Sequence, residues 1–274
     1  MTNQLNLATD GITMRDYSAE LREAVEQAAT AWREFVALPD ETKDALAMQD
    51  AQFGVGYERK FTGERESADR KENFDVTQQG IEAIRNSAPG QAARLLETSA
   101  SLLELLEPEV AEFGQFIEQA YGVQGMAKVA RASAANCYVR YLHYPATSEG
   151  TMIGEPHTDH SGFTFHLYES TDGCERLALD RSAWLPMPVE PGKMAVFGGM
   201  QLQLASRGKL TALCHKITAN RDTAQYGRIA MVCFVKLENI PTYDRKTHGR
   251  LQEKPAGFNY GMPIETFRPL FRNA

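Results

Sequence analysis

Cysteine is scarce in this chain: four occur in 274 residues, at Cys137, Cys174, Cys214 and Cys233, and none forms a CxxC pair. That is too sparse for a secreted disulfide scaffold and favours a reducing cytoplasm. Positive charge is also short. With 29 Lys and Arg against 36 Asp and Glu the net charge is -7, whereas a general nucleic-acid binder carries a basic footprint. No apolar run approaches the ~18 residues of a membrane span. The stretch Met1 to Asp10 is polar and lacks the charged-then-apolar plan of a signal peptide. Internal repeats and low-complexity tracts are absent. What remains is ordinary for a globular chain, 43% hydrophobic and 24% charged. Disorder over most of the length is thereby excluded, and a chain this long can bury roughly three-quarters of its unfolded surface.

The texture changes near residue 130. Leu21, Val25, Ala28, Trp32 and Phe35 recur at alternating spacings of four and three, which predicts a helix capped by Ser18 and stopped before Pro39. A short second helix is expected within Asp40–Met48, and Gln52–Gln79 reads as loop with one short strand. Helical spacing returns from Gln91 to Tyr121 through Leu95, Leu102, Leu106, Val110, Phe113 and Ile117, with Pro108 expected to kink or split it. Beyond Lys128, short aromatic and β-branched segments alternate with turn residues: Cys137–Tyr144, Gly162–Tyr168, Lys193–Phe197, Cys214–Thr218 and Arg228–Lys236. Helices followed by many strands predict an α+β protein whose working half is a β-sandwich or barrel.

The chemistry is most visible at His157-Thr158-Asp159. Residues i and i+2 of a strand share a side, so an imidazole nitrogen and a carboxylate oxygen can meet one cation. Alone this is a weak motif. His215 lies 58 residues on, and two histidines with one carboxylate are the ligand set of a non-haem Fe(II) facial triad. A further 13 residues on, Arg228 opens the apolar run Ile229–Phe234. A guanidinium at the mouth of a buried strand needs an anionic partner, which a dicarboxylate would supply. A structural ion pair is the bland alternative. His143, His160 and His166 read as core or wall residues, and His248 as solvent-exposed. The charged run Glu58–Glu72 reads as a solvated face, with Arg59, Lys60 and Arg65 as minor candidates for substrate contact.

Taken together, the motifs Arg140-Tyr141-Leu142-His143-Tyr144-Pro145, Glu155-Pro156-His157-Thr158-Asp159, Trp184-Leu185-Pro186, Pro191-Gly192-Lys193, Phe197-Gly198-Gly199, His215 and Arg228 resemble the isopenicillin N synthase-like branch of the Fe(II)- and 2-oxoglutarate-dependent oxygenases. In the amino-terminal part, Phe35–Pro39, Lys43, Gly54–Tyr57 and Asp69–Phe74 follow the order of that family's helical region. The resemblance implies a double-stranded β-helix (jelly-roll) core with an N-terminal helical region. Residues 1–128 would form that region, 129–240 the core, and 241–274 an extension over the barrel. It implies iron held by His157, Asp159 and His215. Arg228 and Tyr144 would bind the distal carboxylate of 2-oxoglutarate, with O₂ as the third reactant. Two positions depart from the family: Ala230 stands where a serine usually follows the arginine, and Leu142 where plant members carry asparagine. The serine's hydrogen bond to a charged group is worth roughly 1.5–3 kcal/mol. The N-terminal part is shorter than in plant members and is expected to lack their first strand.

The implied activity is oxidation, by default hydroxylation, of a C–H bond in a small organic metabolite, with succinate and CO₂ as coproducts. Retention of Asp159 disfavours halogenation. Two alternatives stand beside it: an oxidase of the isopenicillin N synthase type that does not use 2-oxoglutarate, and a non-catalytic metal- or ligand-binding protein on the same fold. The pocket wall is expected from Gln52–Phe74, Tyr138–Tyr144, Phe163–Phe165 and the C-terminal tail. A cytoplasmic monomer with no nucleic-acid or membrane partner is the expectation.

Overall fold

The computed structural model describes residues 5–47, 55–60, 70–86, 88 and 90–240. The tail from 241, with His248, and position 65 lie outside the described residues. Ser18 caps the first long helix, its Oγ accepting from Leu21 N, and α2 (Ala19–Val36) buries Leu21, Val25, Ala28, Trp32 and Phe35 as the spacing requires. It follows a short α1 (Leu7–Asp10) and the strand β1 (Ile12–Asp16), and precedes α3 (Asp40–Asp44). The strands β2 (Gly56–Arg59) and β3 (Glu72–Val76) come next, then α4 (Gln78–Ile84), α5 (Ala93–Tyr121) and α6 (Met126–Ser133). The remaining strands are β4 (Tyr138–Tyr144), β5 (Met152–Thr158), β6 (Phe163–Glu169), β7 (Cys174–Leu177), β8 (Trp184–Pro186), β9 (Lys193–Gly198), β10 (Cys214–Thr218) and β11 (Arg228–Val235). Two short helices, α7 (Met200–Ala205) and α8 (Arg221–Tyr226), sit between them.

The strands form a seven-stranded antiparallel sheet, β1-β9-β6-β11-β4-β3-β2, and a four-stranded one, β5-β10-β7-β8. Their facing sides share an inner core of Ile12, Leu142, Tyr144, Ile153, Cys174, Phe197, Leu213, Ile217 and Ala230. This is the jelly roll, in which two sheets bury each other's alternate residues. The outer side of the large sheet carries a second core against α2 and α5. There Phe113 packs edge-on against Phe163 and Phe165 at centroid distances of 5.0 and 5.7 Å. Trp32 Nε1 donates to Leu142 O at 3.1 Å, fixing α2 to β4.

Four expectations need correction. A first strand is present: β1 pairs with β9 from Ile12↔Phe197 to Asp16↔Lys193. The segment after Gln52 holds two strands, and β3 is buried along its whole length. The helix α5 runs unbroken through Pro108, because that residue and Glu104 are exposed and water can satisfy the carbonyl left without a donor. Phe163 and Phe165 belong to the helix-side core rather than to any pocket wall.

Glu72 ties the N-terminal elements together. Its carboxylate accepts from Lys43 Nζ at 2.9 Å and Tyr57 OH at 2.8 Å, and His143 Nδ1 lies 3.1 Å away. Burial alone would raise its pKa, but hydrogen bonds from His143, Lys43 and Tyr57 outweigh that and bring it to about 2. The folded value is therefore depressed, so the stabilisation is complete above about pH 5 and fades as pH falls toward 2. Changing Glu72→Gln should destabilise the protein at pH 7 by roughly 1.5–3 kcal/mol. Urea unfolding at several pH values should show that gap closing between about pH 5 and pH 2; a gap independent of pH would remove the charge from the account.

Candidate metal centre

His157 is the penultimate residue of β5 and faces His215 directly across the β5–β10 pairing. Their rings sit 4.3 Å apart between centroids. Asp159 follows two residues after His157, and its Oδ1 lies 3.8 Å from His157 Nε2 and 3.9 Å from His215 Nε2. One ligand atom from each of the three lies within 4.8 Å of the others, a spacing that suits a single ion. The ring tautomers are set from behind. His157 Nδ1 lies 2.7 Å from Glu155 O, and His215 Nδ1 lies 3.4 Å from Leu213 O. A proton on each Nδ1 leaves the Nε2 lone pair pointed toward Asp159. His215 is also held neutral, its pKa lowered to about 4 by burial first and by His157 beside it.

Asp159 is oriented by a residue that the sequence reading passed over. Thr164 Oγ1 donates to Asp159 Oδ2, which turns Oδ1 toward the histidines. The turn between them is closed by Met200 N donating to Asp159 O at 2.8 Å and Gln201 N donating to Ser161 O at 3.1 Å. Gly199 is required there, because a Cβ would lie 2.2 Å from Ser161 O. The cluster opens on one side: the His157 side chain is 36% exposed, against 6% for Asp159 and 10% for His215.

Arg228 lies in the same barrel, 1% exposed, beside Tyr144 on β4. The guanidinium carbon is 5.6 Å from the centre of the Tyr144 ring. Its Nη2 already has an anionic neighbour, Glu169 Oε1 at 2.7 Å, and the same oxygen lies 2.6 Å from His166 Nε2. Thus the structure brings Arg228 and Tyr144 together, but Arg228 faces an internal carboxylate that the sequence reading did not single out. His166, Glu169 and Cys174 also lie close enough to share an ion. The Arg228 charge at that position opposes a second cation. Of the minor candidates, Arg59 is engaged with Asp40 and Asp44, and Lys60 lies 3.5 Å from Glu58.

The segment 133–237 matches the family model described as the 2OG-Fe(II) oxygenase superfamily. That match covers less than half of the chain, and by it the segment 133–237 is similar to that superfamily. Among curated relatives, gibberellin 3-beta-dioxygenase 2-2 of Triticum aestivum is 26% identical over 120 residues, 44% of this chain and 32% of the relative. The chain thus spans about a third of the length of the gibberellin relatives it matches. Flavonol synthase 1 of Crocosmia x crocosmiiflora is 22% identical over 73% of this chain and 61% of its own length. Among solved structures, the dioxygenase for auxin oxidation of rice superposes with a TM-score of 0.68. It is 19% identical, and the match covers 96% of this chain and 86% of that one.

The Thr164 contact yields a direct test. In Thr164→Val the carboxylate loses its orienting donor, and Fe(II) affinity measured by anaerobic titration should fall about 10- to 100-fold. Unchanged affinity would mean that Asp159 is positioned by the backbone alone.

Proposed function

We propose that this protein is a non-haem Fe(II)- and 2-oxoglutarate-dependent dioxygenase that hydroxylates a C–H bond of a small organic metabolite. The observation that carries the reading is the convergence of two Nε2 lone pairs and one carboxylate oxygen within 4.8 Å at the open end of the barrel. The donor set suits ferrous iron: two neutral imidazoles and a carboxylate, with positions left for other ligands. His157, Asp159 and His215 would hold the metal, and Arg228 with Tyr144 would receive the far carboxylate of 2-oxoglutarate. Iron bound there with 2-oxoglutarate and O₂ supplies the oxidising power, giving succinate and CO₂ beside the oxidised substrate.

The residues of the chain provide the setting. Thr164 and the backbone carbonyls of Glu155 and Leu213 fix ligand orientation, so little rearrangement is needed when a metal enters. Phe197, with its ring 5.2 Å from that of His215, and the inner core exclude water from the buried side. Substrate would approach from the side on which His157 is exposed. None of the four cysteines is in a disulfide, which supports a reducing, cytoplasmic setting. No helix among the described residues is long and apolar enough to cross a membrane. One observation favours a second reading, the oxidase that needs no 2-oxoglutarate: Arg228 already has a carboxylate partner.

Anaerobic visible absorption separates the two readings. A weak charge-transfer band should appear only when Fe(II) and 2-oxoglutarate are both present, and should vanish in Asp159→Ala. Succinate release should require iron and fall at least tenfold in Arg228→Gln. Iron binding without a band would move the oxidase reading ahead, and failure to bind iron would remove both.

A further inference from the structure

Glu169 reaches the barrel interior through an irregularity in β6. Across the β6–β11 pairing, Val232 faces His166 and Met231 faces Tyr168, so Leu167 is the unpaired residue of a bulge. Phe163, Phe165 and Leu167 lie on the helix side. Strict alternation would turn Tyr168 inward and Glu169 outward, but one extra residue reverses both. Tyr168 instead packs against the helix-side core and meets Arg33. Glu169 lands opposite Ala230, whose small side chain belongs to the inner core.

The resulting ion pair is matched in charge but poor in hydrogen bonds. Although Arg228 Nη2 and Glu169 Oε1 are 2.7 Å apart, neither Arg228 nor Glu169 makes a well-directed side-chain hydrogen bond among the described residues. Arginine and carboxylate ordinarily meet fork to fork, through two parallel bonds. Here a single carboxylate oxygen serves both Arg228 and His166, and the guanidinium's remaining donors find no partner among the described residues. Such a pair neutralises a buried charge without saturating it, and Glu169 has His166 to retain if Arg228 is taken.

We propose that Glu169 is a built-in stand-in for the far carboxylate of the cosubstrate. It occupies Arg228 in the resting protein, and a dicarboxylate oxo acid must displace it to bind. This rests on the dioxygenase reading above. Glu169 is then a positioning residue for cosubstrate selectivity, acting through Arg228. The pocket gains little from a second carboxylate on the oxo acid, because that group replaces an anion already in place.

The test compares 2-oxoglutarate with 2-oxopentanoate, which has the same five carbons and chelating end but no far carboxylate. Dissociation constants for both are read from the anaerobic Fe(II) charge-transfer band. The wild type should bind the two within about threefold. Glu169→Gln should favour 2-oxoglutarate by at least tenfold, and adding Arg228→Gln to it should abolish that preference. A merely structural role would shift both ligands together, so an unchanged ratio in Glu169→Gln overturns the proposal. A wild-type preference for 2-oxoglutarate of tenfold or more overturns it too, with no variant needed. Bands with 2-oxopentanoate and none with 2-oxoglutarate in any form would also overturn it. If neither oxo acid gives a band although iron binds, the dioxygenase reading itself fails and takes this proposal with it.

Discussion

One antiparallel register, His157 opposite His215 across β5 and β10, decides whether the three candidate metal ligands of this chain meet at all. Side chains alternate along a strand, so a slip of one residue would turn His215 to the other face. The register is held by what flanks it. Ile153 and Ile217 are buried in the inner core, and Gly154 leaves room for Ile217, whose side chain would lie 3.1 Å from a Cβ there. Asp159 then meets both rings although it lies outside the strands, because the 159–162 turn is fastened to Gly199, Met200 and Gln201 by backbone hydrogen bonds. Segments distant in sequence thus converge through ordinary sheet pairing and one glycine-dependent approach.

Buried charge sets a second constraint. Each such charge requires a partner, since an unpaired buried ion costs several kcal/mol. The chain meets this in two ways. At the N-terminal side, Glu72 is fully engaged by Lys43, Tyr57 and His143, and the cluster pins α3 and β2 to β3 and β4. At Arg228 the partner is a single shared oxygen, and burial, which would raise the Glu169 pKa, is outweighed by the charges of Arg228 and His166. The first cluster is saturated and structural. The second keeps unused hydrogen-bonding capacity among the described residues.

The helices explain why the large sheet can be dry on both sides. Its outer face is covered by α2 and α5, so Phe74, Tyr141, Phe163, Phe165 and Met231 serve a core that never meets the site. An aromatic segment beside a metal motif therefore says little about a pocket: Phe163 and Phe165 follow Asp159 closely, yet their ring partner is Phe113.

The helices α2 and α5, five of the strands, and the three clustered donors were legible in the sequence, because each rests on local spacing or on residue types with few other uses. Ser18 as a cap and the stripe from Leu21 to Phe35 are examples. Short strands such as β1 and β7 were not legible, since their stability comes from partners far along the chain. Thr164 and Gly199 escaped for a similar reason: their importance lies in an approach to Asp159 and Ser161 that only the folded turn creates. The sequence by itself determined the α+β class and pointed to the three side chains that cluster at the barrel. Only the tertiary structure decided what faces Arg228, because a one-residue bulge reverses the side of the sheet on which Glu169 lies and no local pattern announces it.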